Sequence, residues 1–115
     1  MIKNYYKEKG QKKSIHGGEG LVDSVKLFGQ EDFESQLKYV AFTSIDPGAS
    51  IGYHSHENQR EEVYVIIEGC GRMTIDGKVT DVVKGDTIFT PVGASHGLEN
   101  ISSVALDVFV FWVEK

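Results

Sequence analysis

The sequence predicts an all-β, antiparallel sandwich or barrel, and three observations carry that reading. Runs of β-branched and aromatic residues recur at close, regular spacing from residue 37 onward. Turn sequences rich in glycine separate them: Asp46-Pro47-Gly48, Asp76-Gly77 and Gly85-Asp86. No stretch carries the 3.6-residue periodicity of a convincing helix. At 115 residues the chain can bury one core but not two.

Residues 1–13 form a basic arm. Five lysines (Lys3, Lys7, Lys9, Lys12, Lys13) stand against Glu8, a balance of +4 that leaves −9 on the rest of a chain with net charge −5. Such an arm either frays into solvent or docks on the acidic body of its own or a neighbouring subunit. The acidic body excludes a nucleic-acid surface, which needs a basic stripe. Gly17, Gly18 and Gly20 imply a bend or a close backbone approach. Residues 24–28 read as a short strand and residues 30–35 as an irregular stretch with room for one helical turn.

From residue 37 the pattern is strand after strand. Residues 37–45 end at Asp46-Pro47-Gly48; residues 50–56 follow, then a polar loop at 57–61 and a strand at 62–68. Residues 71–75 and 78–83 flank Asp76-Gly77, the strongest hairpin signal in the chain. Residues 87–90, 96–100 and 104–113 complete the set, with Pro91-Val92-Gly93 breaking the chain after Thr90. The last strand is apolar at almost every position, so both of its faces need cover. A partner sheet or the N-terminal segment must supply the outer cover, and for a chain this small a second subunit, and so a homodimer, is the expected source. Residues 1–34 are accordingly read as a dimer-forming arm with its strands, and residues 35–115 as the barrel. Cys70, the only cysteine, lies between two glycines in an expected turn and reads as a reduced bystander. No membrane-length apolar segment and no leader-like h-region occurs, so a cytoplasmic protein is expected, with no membrane partner.

Three histidines and one glutamate carry the chemistry. His54 and His56 alternate on an extended segment, so their side chains share a face. Glu62 heads the next apolar strand; adjacent Glu61 is its rival and would face the opposite way. His96 stands forty residues beyond His56, within reach only through tertiary structure. Imidazole and carboxylate suit one divalent transition-metal ion (Mn²⁺, Fe²⁺, Co²⁺, Ni²⁺ or Zn²⁺). No thiolate is available for a cysteine-type structural zinc site. Four protein ligands on an octahedral ion leave two positions for a small molecule, which a Lewis acid could polarise. His16 lacks partner spacing and reads as an ordinary histidine. Tyr64, two residues after Glu62, shares its inward face and reads as a core tyrosine with the capacity to donate a proton. Arg60 reads as a solvated loop arginine, with an anionic substrate as the sharper alternative.

Gly48-Ala49-Ser50-Ile51-Gly52-Tyr53-His54-Ser55-His56, followed by Glu62 and Gly69, resembles the first of the two cupin motifs. Five residues separate His56 from Glu62, one more than the usual spacing, which implies a longer loop. Gly85, then Pro91-Val92-Gly93-Ala94-Ser95-His96 and Asn100, is similar to the second motif throughout. The resemblance implies a double-stranded β-helix (a jelly-roll barrel) with a metal near one mouth, held by His54, His56, Glu62 and His96. It also implies a dimer and a small-molecule ligand. An enzyme acting on a sugar, sugar acid or short carboxylic acid by isomerisation, elimination or decarboxylation is expected. A non-catalytic binding or sensory protein and an iron dioxygenase are the alternatives, and no catalytic residue is assigned.

Overall fold

A computed structural model describes residues 1–8 and 10–115; Lys9, one of the arm lysines, lies outside the described residues. The strands are β1 (Gln11–Lys13), β2 (Val22–Gly29), β3 (Leu37–Ile45), β4 (Ser50–Ser55), β5 (Arg60–Glu68), β6 (Cys70–Ile75), β7 (Lys78–Val83), β8 (Thr87–Thr90), β9 (Ser95–Glu99) and β10 (Leu106–Glu114). A single 3-10 turn, Gln30–Asp32, occupies the stretch expected to hold one helical turn. The strands form two sheets, ordered β1-β2-β3-β10-β5-β8 and β4-β9-β6-β7. Every strand pair is antiparallel. The spacing of the strands predicts an antiparallel sandwich or barrel, and the motif resemblance implies the jelly-roll barrel seen here.

The inner face of the larger sheet changes character row by row. At one end Val22, Ile45 and Leu106 stand side by side, all fully buried. The middle rows bring Ser24, Thr43 and Val108, then Lys26, Ala41, Val110 and Tyr64. The far row is Tyr39, Trp112, Glu62 and Thr90. One end of the barrel is therefore plugged by aliphatic side chains and the other left polar. Strand alternation makes this gradient possible, because each strand contributes every second residue to the interior.

The outer face of the same sheet is also apolar. Val25, Leu27 and Phe42 are buried there, with Phe28, Val40, Ile67 and Phe109 partly covered around them. Tyr5 from the arm stacks on Phe42, ring centroids 3.8 Å apart. Farther along, Lys12 pairs with Asp46 at 3.1 Å, and β1 joins the sheet beside β2. The arm thus docks on the acidic body of its own chain, and residues 11–13 and 22–29 belong to the same sheet as the barrel strands.

Three local differences from the sequence reading have simple causes. Strand β5 begins at Arg60 rather than Glu62, because β10 extends to Glu114 and pairs with it there. Cys70 lies in β6, opposite Val83; Gly69, at φ 89°, makes the turn alone. Strand β1 carries only exposed polar side chains, so no apolar alternation announced it. The hairpin at Asp76-Gly77 forms as expected, with both residues at positive φ as a type I′ turn requires.

Candidate metal centre

Strand β4 does not alternate regularly. Ile51 pairs with Leu98 and His54 with His96, so β4 carries one extra residue between the two pairs. That bulge turns His54 inward alongside Ile51. His56 follows on the same face, beyond the end of the strand. A second chain segment packs against the bulge. Gly52 N–H and Gly18 N–H both donate to the Ile15 carbonyl, at 3.1 and 3.0 Å, and Ile15 bridges Ile51 in parallel. A Cβ on Gly52 would collide with the His16 carbonyl oxygen, and one on Gly18 with that of Ser50. These two glycines let the strap lie flat on β4.

The four expected side chains converge. His54 Nε2 is 3.2 Å from His56 Nε2; Glu62 Oε2 is 3.1 Å from His56 Nε2 and 3.4 Å from His96 Nε2. One ring nitrogen from each of His54, His56 and His96 falls within 4.8 Å of the others. Of the two rival carboxylates, Glu62 faces inward and Glu61 is exposed. The opposite edges of two rings are held by the protein. His54 Nδ1 lies 2.6 Å from the Gly52 carbonyl, an obligate acceptor, so Nδ1 carries the proton and Nε2 presents a lone pair. His96 Nδ1 lies 2.9 Å from the Thr90 hydroxyl. These are the orienting contacts that metal-bound imidazoles usually have.

The donor set fits a cation. His96 is fully buried, yet its Nε2 makes no hydrogen bond, a costly state for a buried polar atom unless something shares its lone pair. Adjacent donors around an octahedral ion at about 2.1 Å stand roughly 3.0 Å apart, close to the observed 3.1–3.4 Å contacts. Electrostatics point the same way. Burial pushes His54 down to about 4, assisted by His16, His96 and His56. Burial also lowers His56, with Arg60 adding to it. Burial would raise Glu62, but His96, His56 and Arg60 outweigh it and hold the carboxyl below its usual range. At neutral pH the site offers neutral imidazoles on His54 and His56 and an ionised carboxylate on Glu62, the protonation states a metal needs.

A pH dependence follows for the metal-free protein. Between pH 6.5 and about 4 the unfolded chain protonates His54 while the folded chain resists. The unfolded state then binds more protons, so stability is complete above pH 6.5 and falls as the pH drops toward 4. Melting temperature measured across that window should decline, and the decline should shrink in His54→Gln. A flat profile would contradict the burial of a neutral imidazole.

A cavity of about 620 Å³ opens onto His54, His56 and Glu62, with His96 buried behind them. Tyr64 and Arg60 line it with Glu62, all three on the inner face of β5. Tyr64 is fully buried, and burial together with the Glu62 charge raises its phenol well above the ordinary value, so it stays protonated. It is both core and cavity wall. Arg60 is no solvated loop residue: its guanidinium lies 3.8 Å from the Trp112 ring centroid. His16 also escaped the sequence reading. Its ring stacks on His54, centroids 3.5 Å apart at 11°, and it lines the cavity. Its only signal was the neighbouring Gly17-Gly18, whose meaning depends on where β4 lies.

The cupin domain family matches residues 41–113, the span that holds all four converging side chains. The chain is a cupin. Its relatives include the oxalate-binding protein of Thermotoga maritima, 33% identical over 94 residues, which cover 82% of this cupin and 77% of that protein. The crystal structure of a predicted oxalate decarboxylase from Thermotoga maritima superposes over all of both chains with TM-score 0.95 and 28% identity. The mannose-1-phosphate guanylyltransferase of Escherichia coli is 32% identical over 65 residues, 56% of this cupin but 13% of the larger enzyme. No helix among the described residues is long and apolar enough to cross a membrane.

Proposed function

We propose that this cupin holds one divalent transition-metal ion through His54, His56, Glu62 and His96, and that a small oxygenated carboxylic acid binds at that ion. The observation that carries this reading is the buried, unpartnered Nε2 of His96 facing the Glu62 carboxylate and two further imidazoles. The bound ion would supply a Lewis acid able to take two ligand oxygens and to stabilise negative charge. The acid as ligand class is supported by the relatives named for oxalate. The chain's own contribution is to fix the His54 and His96 imidazoles through Gly52 and Thr90 and to close the far end of the barrel with aliphatic side chains.

A second reading, turnover of the acid by decarboxylation or elimination, is favoured by one residue. Tyr64 remains protonated, lines the cavity and packs 5.3 Å from the His96 ring, so its hydroxyl could donate a hydrogen bond to negative charge that builds on bound substrate. Elemental analysis of protein purified without chelator should give about one metal per chain. Calorimetric titration with oxalate should show binding that disappears after chelation. Metal-independent binding, or none, would end the proposal; product formation lost in Tyr64→Phe with oxalate affinity retained would establish turnover.

We also read the apolar outer face of the larger sheet as the contact between two copies of this chain, since a two-fold axis sets the same patch against itself. Phe111, half-buried on that face beside Val40 and Val63, is the probe. Light scattering should report a dimer for the wild type and a monomer for Phe111→Glu. A monomeric wild type would refute the reading.

A further inference from the structure

The proposed metal accounts for one end of the cavity, and the other end has a chemistry of its own. The molecule as a whole is acidic, net charge −5, yet the cavity is not. Among the described residues its lining includes Lys13, Lys26 and Arg60 and a single carboxylate, Glu62, already turned to the histidines. Lys26 is engaged with Glu31 at 3.2 Å. Arg60 is held differently. Its Nε donates to Asn58 Oδ1 at 3.1 Å, and Asn58 Nδ2 donates in turn to Glu114 Oε1 at 2.6 Å. The guanidinium lies on Trp112, which itself stacks on Tyr39, centroids 4.0 Å apart. Among the described residues the two Nη groups make no hydrogen bond and no ion pair.

A planar fork fixed by one edge and one face, with its remaining N–H groups free, is a carboxylate receptor. Its position sets what it can receive. Arg60 and Glu62 are two residues apart on β5 and point to the same face, so their Cα atoms stand about 6.7 Å apart. An acid chelated at the histidines would have to extend along β5 to reach the guanidinium. The space allows it: about 620 Å³ is room for roughly twenty waters at about 30 Å³ each, far more than two directly joined carboxylates fill.

We propose that Arg60 is the specificity-determining residue of this site, receiving a second carboxylate at the end of the ligand remote from the metal. The ligand is then an extended dicarboxylic acid that chelates through one end and pairs with Arg60 through the other. This rests on the metal-bound acid proposed above, but its failure is separable from the failure of that reading.

The test uses full-length protein loaded with Mn²⁺ and two probes of equal chain length, 2-oxoglutarate and 2-oxopentanoate. Both can chelate through the 2-oxo acid; only the first has a distal carboxylate. The wild type should bind 2-oxoglutarate about tenfold or more tightly than 2-oxopentanoate by calorimetry. Arg60→Gln should abolish the preference, with Mn²⁺ still loaded and the loss of affinity falling on 2-oxoglutarate rather than on 2-oxopentanoate. Arg60→Lys keeps a charge and an aliphatic stem against Trp112 but loses the fork, and should narrow the preference severalfold; it carries the test if the glutamine variant fails to fold. Metal-dependent binding of both probes without preference, or a preference that survives in these variants, overturns the role of Arg60 and leaves the metal-bound acid standing. Failure of both probes and of oxalate to bind overturns both.

Discussion

Replacing His96 by alanine is expected to lower divalent-metal affinity by more than about 100-fold, beyond the loss usual for a residue that only orients a ligand. His96 is the fully buried member of the cluster, and the Thr90 hydroxyl fixes its ring. No water can replace its Nε2 without a new cavity opening behind it. The effect reads out as thermal stabilisation on adding metal. At about 1,000 times its dissociation constant a metal adds about 4.1 kcal/mol; after a 100-fold loss of affinity the same concentration adds about 1.4 kcal/mol. At roughly 4 °C per kcal/mol for a domain of this size, about 10 °C of metal-induced shift should vanish. His16→Ala is the control. That ring stacks on His54 but offers no atom to the converging group, so its metal affinity should stay within about threefold of wild type. Wild-type metal content in His96→Ala would remove the basis for the site.

Asn100→Ala should cost the most stability of any single polar change outside the metal centre. Asn100 is buried and uses all of its side-chain valence. Its Nδ2 donates to the Ile45 and Val104 carbonyls, both at 2.8 Å. Its Oδ1 accepts from Ser102 N–H and Oγ–H, both at 2.9 Å. One side chain therefore ties the end of β3 to the turn that launches β10, the strand at the centre of the larger sheet. Alanine leaves these groups to find other partners, and each buried group left unpaired costs about 1–3 kcal/mol. A loss of about 3 kcal/mol and about 10 °C in melting temperature is expected, with metal affinity preserved because the site lies at the other end of the barrel. A variant that melts with the wild type would mean the turn is held by its backbone alone.

The strands were legible because apolar alternation and glycine turns are local signals, and the hairpin at Asp76-Gly77 is the plainest instance. The convergence of the four side chains was legible through the motif resemblance, which placed His96 with a pair forty residues earlier. What alternation could not supply was the bulge in β4. Strict two-residue periodicity carries Ile51 and His54 to opposite faces, and only pairing with Leu98 and His96 shows the extra residue that brings both inward. Arg60 read as a loop residue because β5 has no apolar side chain before Val63; its strand identity comes from pairing with Glu114.

The sequence by itself determined the fold class, the turns and the four residues able to share a cation, since each follows from neighbours along the chain or from a motif. Tertiary structure alone decided that His16 lies on His54, that Arg60 rests on Trp112, and that the cavity of an acidic protein is lined with cations. The first two contacts join residues 38 and 52 positions apart, and no local propensity encodes which side chains meet when two sheets close on each other.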